Sequence, residues 1–156
     1  MADIGFYHLT RSGAEQALPR LLGRTLQAGE RALVLCRTED RVVYFDKVLW
    51  ECPEPDWLPH GSLADGDPDL QPILLTAAPA GAGLDDAGAG NGARFLFLLD
   101  GAETTAMAGF ARVFDLFDGN DETAVVAARH RWKAARDAGH TLTYWQQGER
   151  GWEKKA

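Results

Sequence analysis

One short segment of the chain concentrates positive charge around a single tryptophan. Trp132 is surrounded by Arg129, Arg131, Lys133 and Arg136, although the whole 156-residue chain has a formal net charge of −7 at pH 7. Arginine forks bind carboxylates, and an indole adds apolar contact. The pattern therefore indicates a receptor for an acidic, partly hydrophobic ligand, such as the carboxyl-terminal end of an acidic peptide.

Two other interpretations of this segment stay open. It could be a solvated basic surface on which Trp132 packs against arginine stems. It could also hold single-stranded nucleic acid, because arginine binds phosphate and an aromatic ring stacks on a base. However, one aromatic residue offers little surface on which successive bases could stack. A net charge of −7 also disfavours binding along nucleic acid, which is itself negatively charged.

Helical geometry separates the residues of this segment into two sides. Successive residues turn by roughly 100° around a helix, which gathers small residues on one broad side: Ala124, Ala127, Ala128, Ala134, Ala135 and Ala138. We expect these alanines to dock the helix on a sheet. Val125, Arg129, Trp132 and Arg136 form a stripe on the side left free, with Lys133 at its edge.

Residues that could support catalysis are scattered. Cys36 and His60 could act as nucleophile and base, but Cys36 ends an apolar run and is expected to be a small core residue. Asp100 closes another apolar run and is expected to be a turn residue. The remaining histidines lack metal-ligand spacing and are expected to be structural or solvated: His8, His130 and His140. We therefore expect no catalytic site, no metal and no cofactor.

A proline-rich loop offers a second candidate interface. Residues 49–61 contain two tryptophans seven positions apart, and the second of them opens the rigid apolar sequence Trp57-Leu58-Pro59. Trp57 could fill the core, or it could lie on the surface as a binding anchor, since tryptophan is enriched at binding hot spots. Both alternatives stay open.

The pattern of apolar runs and helix signals predicts the elements that position these residues. Strands are expected at 4–9, 31–36, 72–77, 94–100, 111–117 and 141–145. The first helix is expected to begin at a capping box of Ser12 and Glu15, with a kink or late start at Pro19. Thr38 opens a second helix with Val42, Phe45 and Leu49 on one side. Asn120 or Asp121 caps the helix that contains Trp132 and the surrounding cations, and Gly139 ends it.

Strands that alternate with helices indicate a three-layer α/β fold with a mainly parallel sheet. The fold is expected to be Rossmann-like without a nucleotide site, because no glycine-rich loop links a strand to a following helix. Residues 1–156 are expected to form a single domain, with a flexible Gly/Ala-rich insertion at 78–93. The order of the strands does not follow from the sequence.

Composition narrows the class of protein. A hydrophobic fraction of 46% excludes wholesale disorder, and no apolar run approaches the roughly 20 residues that cross a bilayer. The first residues lack the basic region and long apolar stretch of a secretory signal. The two cysteines show no metal-type spacing. These features lead us to expect a cytoplasmic protein without a membrane partner.

Three segments resemble the chi subunit of bacterial DNA polymerase III holoenzyme. They are F-Y-H-L at residues 6–9, D-K-V-L-W followed by W-L-P-H at residues 46–60, and R-H-R-W-K-A-A-R-D-A-G-H-T-L at residues 129–142. Their order and spacing fit that family over most of the chain. Trp132 stands where a tyrosine is familiar. The resemblance explains neither the glycine-rich stretch nor the carboxyl-terminal GERGWEKKA.

The resemblance implies an α/β fold akin to nucleotide-binding and helicase-core domains, but without the nucleotide site. It implies a non-enzymatic adaptor of the clamp-loader assembly that binds the acidic carboxyl-terminal tail of single-stranded DNA-binding protein, so that contact with DNA is indirect. Carried over by position, the tail site comprises Arg129, Trp132, Lys133 and Arg136, with Phe117 near the pocket. The resemblance also implies a psi-subunit interface, and the residues that carry it over are Trp57, Leu58, Pro59 and His60.

Overall fold

The structure, a computed structural model, describes residues 2–53, 58–62, 65–77, 91–104 and 107–156. The described strands are β1 (Asp3–Leu9), β2 (Ala32–Cys36), β3 (His60–Ser62), β4 (Ile73–Ala77), β5 (Phe95–Leu99), β6 (Arg112–Asp118), β7 (Thr141–Gly148) and β8 (Gly151–Lys154). The α-helices are α1 (Ala14–Gln27), α2 (Glu39–Glu51) and α3 (Glu122–Asp137). Short 3₁₀ turns occupy Pro68–Leu70 and Met107–Gly109.

The eight strands form one sheet in the order β3-β4-β2-β5-β6-β1-β7-β8. All neighbouring pairs are parallel except β7 and β8, which are antiparallel. Helices α1 and α2 pack into the apolar cluster on one sheet face, and α3 packs into the cluster on the other. The predicted three-layer α/β fold with a mainly parallel sheet is therefore confirmed. Among the described residues, none of the helices is both long and apolar enough to cross a membrane.

The central strands are apolar along their whole length because both of their faces are covered. Every residue of β2 and β4 is buried, as expected for parallel strands between two helical layers. Side chains alternate between the layers: Phe97 stacks on Phe114 at 4.3 Å between ring centroids on the α1–α2 side, while Leu96 and Leu98 face α3.

Two of the predicted helix starts are confirmed. Thr38 caps α2, where its Oγ1 accepts a hydrogen bond from the Arg41 amide at 3.3 Å. Asp121 caps α3, and its Oδ1 accepts hydrogen bonds from the amides of Thr123 (3.0 Å) and Ala124 (3.4 Å). The chain leaves α3 through Gly139, whose φ of +87° is a conformation that favours glycine.

The predicted start of α1 is wrong. The helix begins at Ala14 and continues through the buried Pro19. The Gly13 amide donates to Gln16 Oε1 at 3.0 Å, so the reciprocal contact belongs to Gln16 rather than Glu15. The N-cap residue is Gly13 rather than Ser12, and the Ser12 hydroxyl instead accepts a hydrogen bond from Gln147 Nε2 at 2.6 Å.

One end of the expected Gly/Ala-rich insertion belongs to the packed body. Residues 78–90 lie outside the described residues, but Asn91 and Ala93 are buried. Asn91 Nδ2 donates to the carbonyls of Ala32 (3.0 Å) and Gln71 (2.9 Å), and Asn91 Oδ1 accepts from the Ala93 amide. These hydrogen bonds of Asn91 hold the chain where it approaches β5, and the flexible insertion at 78–93 stays a prediction.

The carboxyl-terminal residues extend the sheet. Residues 148–151 turn the chain so that β8 pairs with β7, and Trp152 packs edge-on against Tyr7 with ring centroids 5.0 Å apart. The segment GERGWEKKA, which the sequence resemblance does not explain, thus contributes Trp152 to the apolar cluster on the α1–α2 side of the sheet.

The turn between β1 and α1 is closed by one side chain from β7. Three consecutive amides, those of Thr10, Arg11 and Ser12, donate to the single oxygen Gln147 Oε1 at 2.9, 2.8 and 3.0 Å. An amide oxygen that accepts three backbone hydrogen bonds fixes both the turn and the start of α1.

Replacing Gln147 with alanine is expected to lower the free energy of unfolding by about 2 kcal/mol, because three amides lose their acceptor and water replaces it only in part. Gln147→Glu keeps an acceptor for the three amides, and the Ser12 hydroxyl can donate to its second oxygen, so this variant should lose less stability. Urea denaturation of the three proteins measures the difference. An alanine variant as stable as the wild type would show that Gln147 does not hold the turn.

Candidate functional site

Helix α3 docks on the sheet along a narrower line than its alanines predict. Ala128 and Ala135 are buried, but Ala134 and Ala138 are exposed. Val125 and Trp132 are half-buried and pack against the cluster beneath the helix. The expected broad alanine face is therefore wrong, because the larger side chains fill the space beside β1 and β7.

Trp132 is half-buried between the helix and the sheet. Its ring meets Phe6 of β1 edge-on at 5.3 Å and Tyr144 of β7 at 5.9 Å, measured between ring centroids. Burying part of an indole is favourable, and edge-to-face contacts add to the gain. The expectation that Trp132 lies wholly on a free side is thus corrected: one part of the ring packs inward and the other reaches solvent.

Exposed cations surround this indole. Arg129, Lys133 and Arg136 are all exposed, and Arg136 Nε lies 3.8 Å from Asp137 Oδ1. Within the described part of the chain, Arg129 and Lys133 form no hydrogen bond or ion pair. We call Arg129, Trp132, Lys133 and Arg136 the basic α3 face. Its two unpaired cations are available to an anionic ligand.

Tyr144 forms the floor beside the basic α3 face and was missed in the sequence. Its hydroxyl lies 2.5 Å from His8 Nδ1. Burial raises the pKa of Tyr144, and the neighbouring Arg129 guanidinium lowers it in part. The alternation of T-L-T-Y-W could have revealed it, because Leu142 and Tyr144 share the α3 side while Trp145 faces the opposite layer.

Phe117 supports this floor from below. It is buried, and its ring lies 5.1 Å from His8 and 6.2 Å from Tyr144. Phe117 therefore supports the aromatic residues of the site, and its place in the tail site stays a prediction.

A buried ion pair anchors α3 to the sheet. Arg131 Nε and Nη2 donate to the two carboxylate oxygens of Asp115 at 2.7 and 3.0 Å, and the two side chains are only 10% and 2% exposed. Burial raises the pKa of Asp115, and the Arg131 hydrogen bonds oppose that rise. The sequence carried a signal for this pair, because Asp115 interrupts the apolar run V-F-D-L-F.

The proline-rich loop presents fewer residues than expected. Trp57 lies outside the described residues, Leu58 is buried and Pro59 is half-buried. His60 is also buried: its ring contacts Trp50 in a tilted arrangement at 4.6 Å between centroids, and its Nε2 lies 3.1 Å from the carbonyl of Asp46. Leu58 and His60 therefore support the loop from inside, and a second interface in this region stays a prediction.

The candidate catalytic residues do not come together. Cys36 pairs with the last residue of β4, whereas His60 pairs with the first residue of that strand. Strand geometry places them roughly 16 Å apart. Asp100 accepts two hydrogen bonds from Arg41 at 2.8 and 3.3 Å and lies in a turn at φ +56°, which confirms its expected role. In the described ranges no three His, Cys, Asp or Glu side chains are grouped to hold a metal.

Cys36 is expected to be inert toward alkylation in the folded protein. It is fully buried, and burial raises its pKa to about 12, so almost no thiolate exists at pH 8. Intact-mass analysis after iodoacetamide treatment should find at most one adduct, at the half-buried Cys52, and two adducts in denaturant. A native adduct at Cys36 would contradict this burial.

The comparisons with known proteins identify one family. The model of the family described as DNA polymerase III chi subunit, HolC, matches residues 1–143. A comparison with curated proteins finds no match for this chain. The matched range includes the basic α3 face and ends inside β7, one residue before Tyr144. Because the match covers most of the sequence, the chain belongs to the DNA polymerase III chi subunit family.

Proposed function

We propose that this chain is a non-enzymatic adaptor of DNA replication that binds the acidic carboxyl-terminal tail of single-stranded DNA-binding protein through the basic α3 face. Membership of the chi family supports a role as an accessory subunit of DNA polymerase III. The observation that carries the binding proposal is the placement of two unpaired cations, Arg129 and Lys133, beside a half-buried indole.

The chemistry of this face suits an acidic peptide with an apolar residue. Arg129 and Lys133 carry a guanidinium and an ammonium group on one side of α3, at i and i+4 spacing. Both groups bind carboxylates. The exposed part of Trp132 adjoins Tyr144, which gives an apolar side chain a rigid aromatic surface. A few such contacts correspond to micromolar affinity, or about −8 kcal/mol.

Single-stranded nucleic acid fits this face less well. Trp132 and Tyr144 meet edge-on at 70°, so they do not form two parallel platforms on which successive bases could stack. The net charge of −7 also opposes direct association with a polyanion. We therefore propose that contact with DNA is made through the partner protein.

A second partner surface is proposed on α2. Val43, Tyr44 and Trp50 are all large and exposed, and Val43 and Trp50 lie seven positions apart on the helix. Exposed apolar side chains on one helix mark protein interfaces. We propose this surface for the psi subunit of the clamp loader.

Calorimetric titration tests the main proposal. The probe is a synthetic peptide with the carboxyl-terminal residues of the cognate single-stranded DNA-binding protein. We expect micromolar affinity at about 50 mM salt and roughly tenfold weaker binding at 300 mM, because the contacts are partly exposed charges. Absence of binding at low salt would refute the proposal. Binding of a bare single-stranded oligonucleotide at moderate salt, with no peptide binding, would favour the nucleic-acid alternative.

A further inference from the structure

A crevice of about 630 Å³ lies at the carboxyl edge of the sheet, away from the basic α3 face. It is lined by the segments that follow four adjacent strands, in the sheet order β2-β5-β6-β1. Its volume falls in the range of pockets that hold small molecules. Its lining contains none of the four residues of the basic α3 face.

The crevice lies where the connections change sides of the sheet. The outer two strands, β1 and β2, lead into α1 and α2 on one face. The inner two lead to the opposite face: β6 into α3, and β5 into a segment whose Ala102 and Phe110 pack in the α3 layer. In open α/β sheets, ligands bind outside the carboxyl ends of strands at such switch points.

Two guanidinium groups converge at one of these switch points. The residue after β2 is Arg37, and Gly101 follows β5 in a turn with φ +77°. An atom at the place of a Gly101 β-carbon would lie 3.6 Å from Arg131 Nη1 and 3.7 Å from Arg37 Nη1. Because glycine has no side chain, that space between the two cations is open to a ligand oxygen.

One cation at this end of the crevice has no ion-pair partner among the described residues. Arg41 is paired with Asp100, and Arg131 with Asp115. Arg37 is exposed and has no ion pair or hydrogen bond among the described residues. Two other carboxylates of the crevice, Asp118 and Asp121, accept hydrogen bonds from amides of their own turns. Glu15 lies at the start of α1 and contributes to the field around Arg41.

The usual phosphate position of such a fold is already filled in this chain. The amides of the turn after β1 all point to Gln147 Oε1, so that turn cannot receive an anion without displacing the glutamine. The pair of Arg37 and Arg131 over Gly101 is a second anion-binding position in the crevice, and it needs no such displacement.

We propose that this crevice binds the phosphate group of a small phosphorylated molecule between Arg37 and Arg131, over Gly101. The two guanidinium groups arrive from different elements, one after β2 and one from α3. A phosphate presents three oxygens in different directions and can meet both, whereas a planar carboxylate matches one guanidinium fork. The remaining volume accommodates an organic body the size of a nucleoside.

The test is a titration followed by amide and guanidinium NMR signals at constant ionic strength, with inorganic phosphate and a nucleoside monophosphate as separate probes. We expect saturable shifts of the Gly101 amide and the Arg37 Nε signal, with the nucleoside monophosphate binding at least as tightly as phosphate. Arg37→Ala, a change at an exposed residue, should weaken both about tenfold. Arg20→Ala, an exposed arginine outside this crevice, should change neither.

Several outcomes would overturn the proposal. They are shifts that do not saturate, equal affinity in wild type and Arg37→Ala, and a Gly101 response to a single-stranded oligonucleotide but not to the nucleoside monophosphate. The site is separable from the basic α3 face: Arg37→Ala should bind the acidic tail peptide as wild type does, and phosphate affinity should survive the Arg129→Ala/Lys133→Ala change. If either variant lost the binding of both phosphate and the tail peptide, the proposal of a separate phosphate site would also be refuted.

Discussion

Replacing Arg131 with alanine is expected to lower the free energy of unfolding by about 3–5 kcal/mol. The cause is the carboxylate left behind. Asp115 is 2% exposed and receives two hydrogen bonds from Arg131. Without them it must either stay charged in an apolar layer or take up a proton, and both alternatives destabilise the folded state.

Urea denaturation with two further variants identifies the cause. Arg136→Ala removes an exposed arginine from the same helix and should stay within about 0.5 kcal/mol of wild type. The double change Arg131→Met/Asp115→Leu removes both charges and should recover most of the loss, since an apolar pair can replace a buried ion pair. If Arg131→Ala costs less than about 1 kcal/mol, the ion pair does not anchor α3.

Removing Arg129 and Lys133 together is expected to weaken binding of the acidic tail peptide about 100-fold. Each side chain can make a charge-assisted hydrogen bond worth about 1.5 kcal/mol or more to a carboxylate. Both are exposed, so the double alanine variant should fold as wild type does. Trp132→Ala is less informative, because Trp132 packs on Phe6 and its loss would also disturb the core.

The chain offers a matched control for this experiment. Arg20 and Arg24 are exposed, stand at the same i and i+4 spacing and lie on α1, on the opposite face of the sheet. Arg20→Ala/Arg24→Ala therefore makes the same change in net charge far from the proposed site. Equal weakening by the two double variants would mean that the peptide responds to overall charge rather than to the basic α3 face.

The sequence predicted those strands that are buried on both faces of the sheet and those helix starts whose capping residue is close in sequence. β2 and β4 are uninterrupted apolar runs, and the caps Thr38 and Asp121 act within three residues. β3 could not be found this way, because His-Gly-Ser has no apolar pattern and is a strand only through pairing with β4. The start of α1 was misassigned because Ser12 is engaged by Gln147, 135 residues away.

The candidate site was predictable in its charges but not in its packing. The spacing of Arg129, Lys133 and Arg136 depends only on helix geometry, so it was visible in the sequence. The inward packing of Trp132 depends on the space beside Phe6 of β1 and Tyr144 of β7. These two strands are neighbours in the sheet but far apart in sequence, and local sequence patterns do not predict strand order.

The central claim is that the basic α3 face is the binding surface for the acidic tail, and chemical-shift mapping with the tail peptide tests it most directly. In a titration of the ¹⁵N-labelled protein, the largest shifts should fall on the Trp132 indole, on residues 129–136 and on Tyr144, and they should shrink as salt is added. Shifts centred instead on α2 or on the carboxyl-edge crevice, with the Trp132 indole unmoved, would contradict the account.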